Sequence, residues 1–147
     1  MLDKEKDYYT WCMEVARRLR LLEAPLLDSI AEELEALGHA QVREIMRHVR
    51  IIHHHLLKLR HAGKLDTGAV GRWRESVTNS RRAIKAVLTE NPGLRAPLPE
   101  LHLQTYNGAR ELAALDLGRN RKALPEKPPW THGQLLDRSY WPKGRAK

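Results

Sequence analysis

The chain has 147 residues, the length of one ordinary domain, and a chain of that size buries roughly two-thirds of its unfolded surface without needing a disulfide or a metal. Cys12 is the only cysteine, which excludes an intramolecular disulfide and any cysteine-based zinc or iron–sulfur centre and makes a reducing cytoplasm the expected compartment. The formal charge is +8, but it is segmented: residues 1–40 carry 5 basic and 9 acidic side chains, 41–95 carry 12 and 4, 96–118 carry 1 and 3, and 119–147 carry 8 and 2.

The opening MLDKEKDYY lacks the apolar core of a signal peptide, and no apolar run approaches the ~20 residues that span a bilayer. Tyr8, Trp11, Cys12, Val15, Leu19 and Leu22 recur at helical spacing and predict a first helix from about Lys4 to Leu22. Pro25 suits the first turn of a second helix, whose stripe of Leu27, Ile30, Leu34 and Leu37 is expected to stop at Gly38. Val42, Ile45, Met46, Val49, Ile52, Leu56, Leu57 and Leu59 form a third stripe that ends before Gly63. The glycine-containing stretch 63–71 reads as a loop. Trp73, Val77, Ile84, Val87 and Leu88 mark a fourth helix, ended by Glu90–Gly93 (ENPG). Leu98, Leu101, Tyr106, Ala109, Leu112 and Leu115 mark a fifth, closed by Gly118. The prolines of Leu124–Trp130 (LPEKPPW) forbid helix there, and Thr131 with Gln134 has capping-box spacing before a last short helix. No stretch alternates with period two. The expected fold is all-α: a single-domain bundle of five to six helices over residues 1–142, with a proline-rich C-terminal tail strapped onto it and a disordered basic end at 143–147. Trp130, Tyr140 and Trp141 are its expected apolar anchors.

Five of the eight histidines lie between His48 and His61. At about 100° per residue the third stripe places His53 inside the apolar arc, His54 opposite it and His55 on its edge. Three consecutive helical residues point three ways and cannot share one metal, and no histidine pair there has the spacing of three or four that a helical clip needs. A metal would require a ligand from a neighbouring helix. Glu32, Glu33 and Glu35 in Ala31–Glu35 (AEELE) are the candidates, and Glu33, which flanks the Ile30–Leu37 stripe, could face the third helix; a Glu33–His55 contact is either part of a carboxylate–histidine site or, more simply, a buried hydrogen bond. No metal and no other cofactor is expected. His53 is expected to be buried and neutral, His54 to be solvent-facing.

Asp7–Trp11 (DYYTW), Ile30–Gly38 (IAEELEALG), His55–Lys58 (HLLK), Trp73–Val77 (WRESV), Asn91–Arg95 (NPGLR), Tyr106–Leu112 (YNGAREL) and Leu135–Pro142 (LLDRSYWP) occur in an order that resembles a bacterial family, domain of unknown function 29. The resemblance runs from about Asp7 to Pro142. It implies a compact all-helical domain and no established activity, substrate or cofactor. Glu32, Glu33, Glu35, His55, Lys58, Trp73, Arg74, Tyr106 and Arg110 are the polar positions that match. His53 and His54 replace apolar residues of the family pattern, and Ala40 replaces a serine.

Two constellations remain. Glu33, His55, Tyr106 and Arg110 are a candidate polar cluster inside the bundle, more simply read as a hydrogen-bond network than as a catalytic site. Arg74, Arg81 and Lys85 form a basic edge on the fourth helix that could meet phosphates, or pair with Glu14, Glu32 and Glu35. No phosphate loop, nucleophile elbow or helix-turn-helix is present. The leading expectation is a non-catalytic interaction module whose partner is another protein or an identical subunit. Nucleic-acid binding or an antitoxin-like regulatory role by the basic face is second, and an enzyme or metal protein using the Glu/His/Tyr/Arg cluster is third. No membrane partner is expected.

Overall fold

The computed structural model describes residues 2–63 and 67–144. Among them are six α-helices: α1 (Tyr8–Arg20), α2 (Pro25–His61), α3 (Thr67–Glu90), α4 (Leu98–Gln104), α5 (Tyr106–Asp116) and α6 (His132–Leu136), with 3₁₀ turns at Pro92–Arg95 and Arg121–Ala123. The fold is all-helical, and no described residue is in a strand. Residues 64–66, part of the expected loop, and residues 145–147, part of the expected basic end, lie outside the described residues. From Thr67 the chain is already helical, so the loop expected as far as 71 is shorter; helical i→i+4 bonding is compatible with the glycines at 68 and 71, whose cost is only entropic.

Asp7 sets the start of α1. Its Oδ1 accepts from the Thr10 N–H at 3.1 Å, satisfying one of the orphan donors of the first turn. The chain then reverses at Leu21–Ala24, where Glu23 takes a left-handed φ of 51°. Pro25 opens α2, where its missing N–H is no loss.

α2 corrects the expectation of two helices separated at Gly38: it is one uninterrupted helix of 37 residues. Gly38 lies in its interior. A Cβ there would stand 3.0 Å from Met13 Sδ and 3.4 Å from Tyr9 Cδ1, so the glycine permits a close approach to α1. Gly63, with φ 72°, follows the true end.

The chain divides into two compact units, Met1–Ile45 with Lys85–Pro97, and Met46–Ile84 with Leu98–Lys147. The first buries Cys12, Ala16, Ala31, Ile45, Leu88 and Leu94. Its most constrained point joins two stretches 86 residues apart. Asp7 Oδ2 accepts from the Gly93 N–H at 2.7 Å and from Thr10 Oγ1 at 2.9 Å. A Cβ on Gly93 would lie 2.1 Å from Thr10 Oγ1, so no larger residue fits. Buried Asn91 ends α3 by turning its Nδ2 back to the Val87 carbonyl at 2.8 Å.

The second unit buries Val49, Ile52, Leu56, Leu57, Val77, Ile84, Leu101, Tyr106, Trp130 and Leu135. The expected fifth helix is split here into α4 and α5. A continuous helix would offer the His102 carbonyl to the Tyr106 N–H. Instead that carbonyl accepts from His53 Nε2 at 2.9 Å and from Thr105 Oγ1 at 3.4 Å. Gly118, at φ 65°, closes α5 as expected. Thr131 and Gln134 form the expected capping box on α6.

Candidate functional site

The histidine run lies in the second unit, and each ring has its own surroundings. His53 is fully buried. Its Nε2 donates to the His102 carbonyl at 2.9 Å, which leaves Nδ1 to accept from Trp130 Nε1–H at 3.0 Å. These two bonds fix one neutral tautomer, since a second ring proton would face the indole N–H. Burial pushes its pKa down to about 3, in agreement with the expected neutral imidazole.

His54 corrects the expectation of a solvent-facing residue. Its Nε2 contacts Asp116 Oδ2 at 2.8 Å, and Lys58 Nζ reaches the same oxygen at 2.9 Å. Lys58, largely buried, also stands 4.6 Å over the Trp73 ring. The Lys58 hydrogen bond is the chief reason that the Asp116 carboxyl titrates below its usual range. Burial lowers the His54 pKa, so its contact with Asp116 at neutral pH is a hydrogen bond from a neutral ring.

His55 stacks on His54 at 4.8 Å between centroids, and its buried Nδ1 has no hydrogen-bond partner among the described residues. Burial, with the neighbouring cationic positions of His54 and Lys58 second, lowers its pKa to about 4.

The four residues of the expected polar cluster separate. Glu33 is exposed, and it sits on the same helix as His55, about six turns away, instead of on a neighbouring one. The structure therefore does not bring these two together. Tyr106 and Arg110 do work together, one turn apart on α5. Tyr106 Oη donates to the Pro125 carbonyl at 2.7 Å and Arg110 Nη2 to the Leu124 carbonyl at 3.0 Å. They hold the start of the proline-rich segment. Burial raises the Tyr106 phenol to about 12, so it is a permanent donor. Among the described residues no three His, Cys, Asp or Glu side chains stand together as a metal group.

The basic edge also separates. Arg81 is buried, and its guanidinium donates to the carbonyls of Leu135 at 2.8 Å, Tyr140 at 2.9 Å and Gln134 at 3.4 Å. Two of these are the last carbonyls of α6, so Arg81 serves as a C-terminal cap. Burial lowers its pKa, and it is not available to a phosphate. The guanidinium groups of Arg74 and Arg81 each stand 4.9 Å from the centre of the Trp141 ring. Arg74 and Lys85 are exposed. Two of the acidic residues considered as partners of this edge bind elsewhere: Glu14 pairs with Arg17 and Arg18, and Glu35 with Arg20.

Two surface features were not legible as such. In the first unit Leu21, Leu22, Leu26, Ile30 and Leu37 are between 42% and 71% exposed. This corrects the core assignment of Ile30 and Leu37. Leu26, Ile30, Glu33 and Leu37 follow one another at spacings of 4, 3 and 4 and fall within an arc of about 60° on α2. The signal was present as leucines at 21, 22 and 26, in excess of one buried stripe. In the second unit Arg110, Arg121, Lys122, Leu124 and Glu126 line an open cleft of about 380 Å³.

A family model described as a domain of unknown function, DUF29, matches residues 4–141. The fold is similar to the crystal structure of an alpha-helical protein of unknown function from Rhodospirillum rubrum, with a TM-score of 0.70 and 24% sequence identity, covering 95% of this chain and 92% of that one. That likeness concerns the fold alone. No curated protein matches. Among the described residues no helix is long and apolar enough to cross a membrane.

Proposed function

We propose, for a chain that belongs to the domain of unknown function 29 family, that it is a non-catalytic interaction module which docks a basic amphipathic helix of another protein. The observation that carries this reading is the exposed seam of α2. Monomeric proteins rarely expose contiguous apolar surface of this kind unless a partner covers it. The 4-3-4 spacing of Leu26, Ile30, Glu33 and Leu37 is that of helix-on-helix packing, and the loop residues Leu21 and Leu22 add apolar surface in the same unit.

Glu33 decides between a second copy and a different chain. In a parallel pair of identical seams Glu33 would face Glu33. In an antiparallel pair it would face Ile30, with no cation opposite. Both arrangements desolvate a carboxylate without a partner, which is costly. A helix with leucines on one face and a lysine or arginine opposite Glu33 satisfies the whole seam, and residues 1–40, with net charge −4, favour it further. The proline-rich C-terminal segment has a structural part in this reading, as a strap held by Tyr106, Arg110 and Arg81. The reducing cytoplasm suits the lone buried Cys12.

A designed 21-residue amphipathic peptide with a leucine stripe and lysine flanks, labelled for fluorescence anisotropy, tests the reading. The parent protein is expected to be monomeric by light scattering and to bind the peptide saturably. Leu26→Asp with Ile30→Asp, both on exposed positions, should abolish binding and leave melting unchanged. A parent protein that dimerises through this seam, or a peptide that binds the double variant equally well, overturns it.

A further inference from the structure

We infer that the cleft between α5 and the Arg121–Ala123 turn is a binding site for a small phosphate monoester carrying hydroxyl groups, of the sugar-phosphate class. The site lies in the second unit and is independent of the docking seam.

Its lining is three cations, Arg110, Arg121 and Lys122, with Leu124 and a single carboxylate, Glu126. The volume of about 380 Å³ suits a small metabolite rather than a lone ion. The backbone is fixed before any ligand arrives. Asn120 Oδ1 accepts from the Lys122 N–H at 2.9 Å and shapes the turn, while Arg110 and Tyr106 hold the carbonyls of Leu124 and Pro125. With those carbonyls occupied, fewer bare acceptors face an entering anion. Arg110 donates Nη2 to the Leu124 carbonyl at 3.0 Å, which fixes its guanidinium at the cleft wall. Arg121 is oriented from outside the cleft by Glu111, at 2.8 Å. Guanidinium groups match the paired oxygens of a phosphate, and an ammonium adds a third point of charge.

Two features narrow the ligand. Glu126 accepts hydrogen bonds and repels further negative charge, so the body of the ligand should bear hydroxyl donors. None of the five lining residues is aromatic, so no ring is present on which a nucleobase would stack. A polyol body fits both.

The test is calorimetric titration of the full chain with glucose 6-phosphate, glucose and a short DNA duplex at constant ionic strength. Glucose 6-phosphate should bind saturably at one site and glucose should not bind. Arg121→Ala with Lys122→Ala, both exposed, should weaken glucose 6-phosphate by about tenfold or more. Arg82→Ala with Lys85→Ala, on α3, removes the same charge elsewhere and should have no effect. Absence of saturable binding up to about 10 mM, a range in which even weak sites register, overturns the assignment. So does equal weakening by both double variants, which would mark a response to net charge. Binding of the duplex without binding of glucose 6-phosphate would assign the cleft to a nucleic-acid backbone instead.

Discussion

Gly93 and His53 show how single residues carry this fold. Replacing Gly93 with Ala puts a methyl carbon where Thr10 Oγ1 already stands, and the Asp7 carboxylate that caps α1 is bonded to both. We expect Gly93→Ala to destabilise the protein by about 2–3 kcal/mol in urea unfolding, with the helix content of the native state retained. His53 and His55 should respond in opposite ways. Trp130→Phe deprives His53 Nδ1 of its donor and should cost about 1–3 kcal/mol. His55→Leu removes a buried ring nitrogen that has no partner among the described residues and should leave the melting temperature unchanged or raise it. The sequence placed His53 on the buried side of its helix but not His54, which was expected in solvent and instead meets Asp116. It could not supply their partners: His102, Trp130 and Asp116 lie 49, 77 and 62 residues away from the histidines they contact, and helical periodicity carries no information at such distances. That is why His55 stood out as the ring with a polar partner, when its Nδ1 has none among the described residues.

At the scale of elements, helix ends were readable where the signal is local. The capping box of Thr131, the stop at Gly118 and the non-helical prolines all use residues within a few positions of one another. Gly38 misled because a glycine that ends a helix and a glycine that admits a neighbouring helix look alike in sequence; only Met13 and Tyr9 distinguish them. The break between α4 and α5 was invisible for a similar reason, since it depends on what accepts at the His102 carbonyl. Arg81 belongs here as well. Its charge suggested a ligand, and its neighbours use it to end α6. Arg81→Met should strip these carbonyls of their donor and lower stability by about 2–4 kcal/mol. Loss of amide protection in hydrogen exchange should concentrate in residues 131–141. Uniform loss of protection along the chain, or none, would contradict a local capping role.

For the molecule as a whole, the buried histidines predict the direction of acid sensitivity. His53 and His55 have folded pKa values lowered to about 3 and about 4. In the unfolded chain both take a proton near 6.5. Between those values the unfolded state binds more protons, so stability is fully present above about pH 6.5 and falls as the pH drops, by about 1.4 kcal/mol per pH unit for each such group. Denaturant midpoints should be level from pH 7.5 to about pH 6.5 and fall from there to pH 4.5, and His55→Leu should flatten the slope. The all-helical class followed from composition and periodicity alone. The exposed seam of α2 did not, because an exposed leucine and a buried one are the same letter, and only the packing of α1 against Gly38 shows which face of α2 is covered.

The docking of a basic helix on the Leu26–Leu37 seam is tested most directly by reversing one charge. Two leucine-striped peptides, one with lysine flanks and one with glutamate flanks, are titrated against the parent and against Glu33→Lys, an exposed position whose change should not alter folding. The parent should prefer the lysine peptide by about tenfold, the scale of one desolvated charge pair, and Glu33→Lys should invert that preference. If the parent binds both peptides alike, or the variant keeps the parent's preference, Glu33 does not select the partner and the seam is not a docking site for a basic helix.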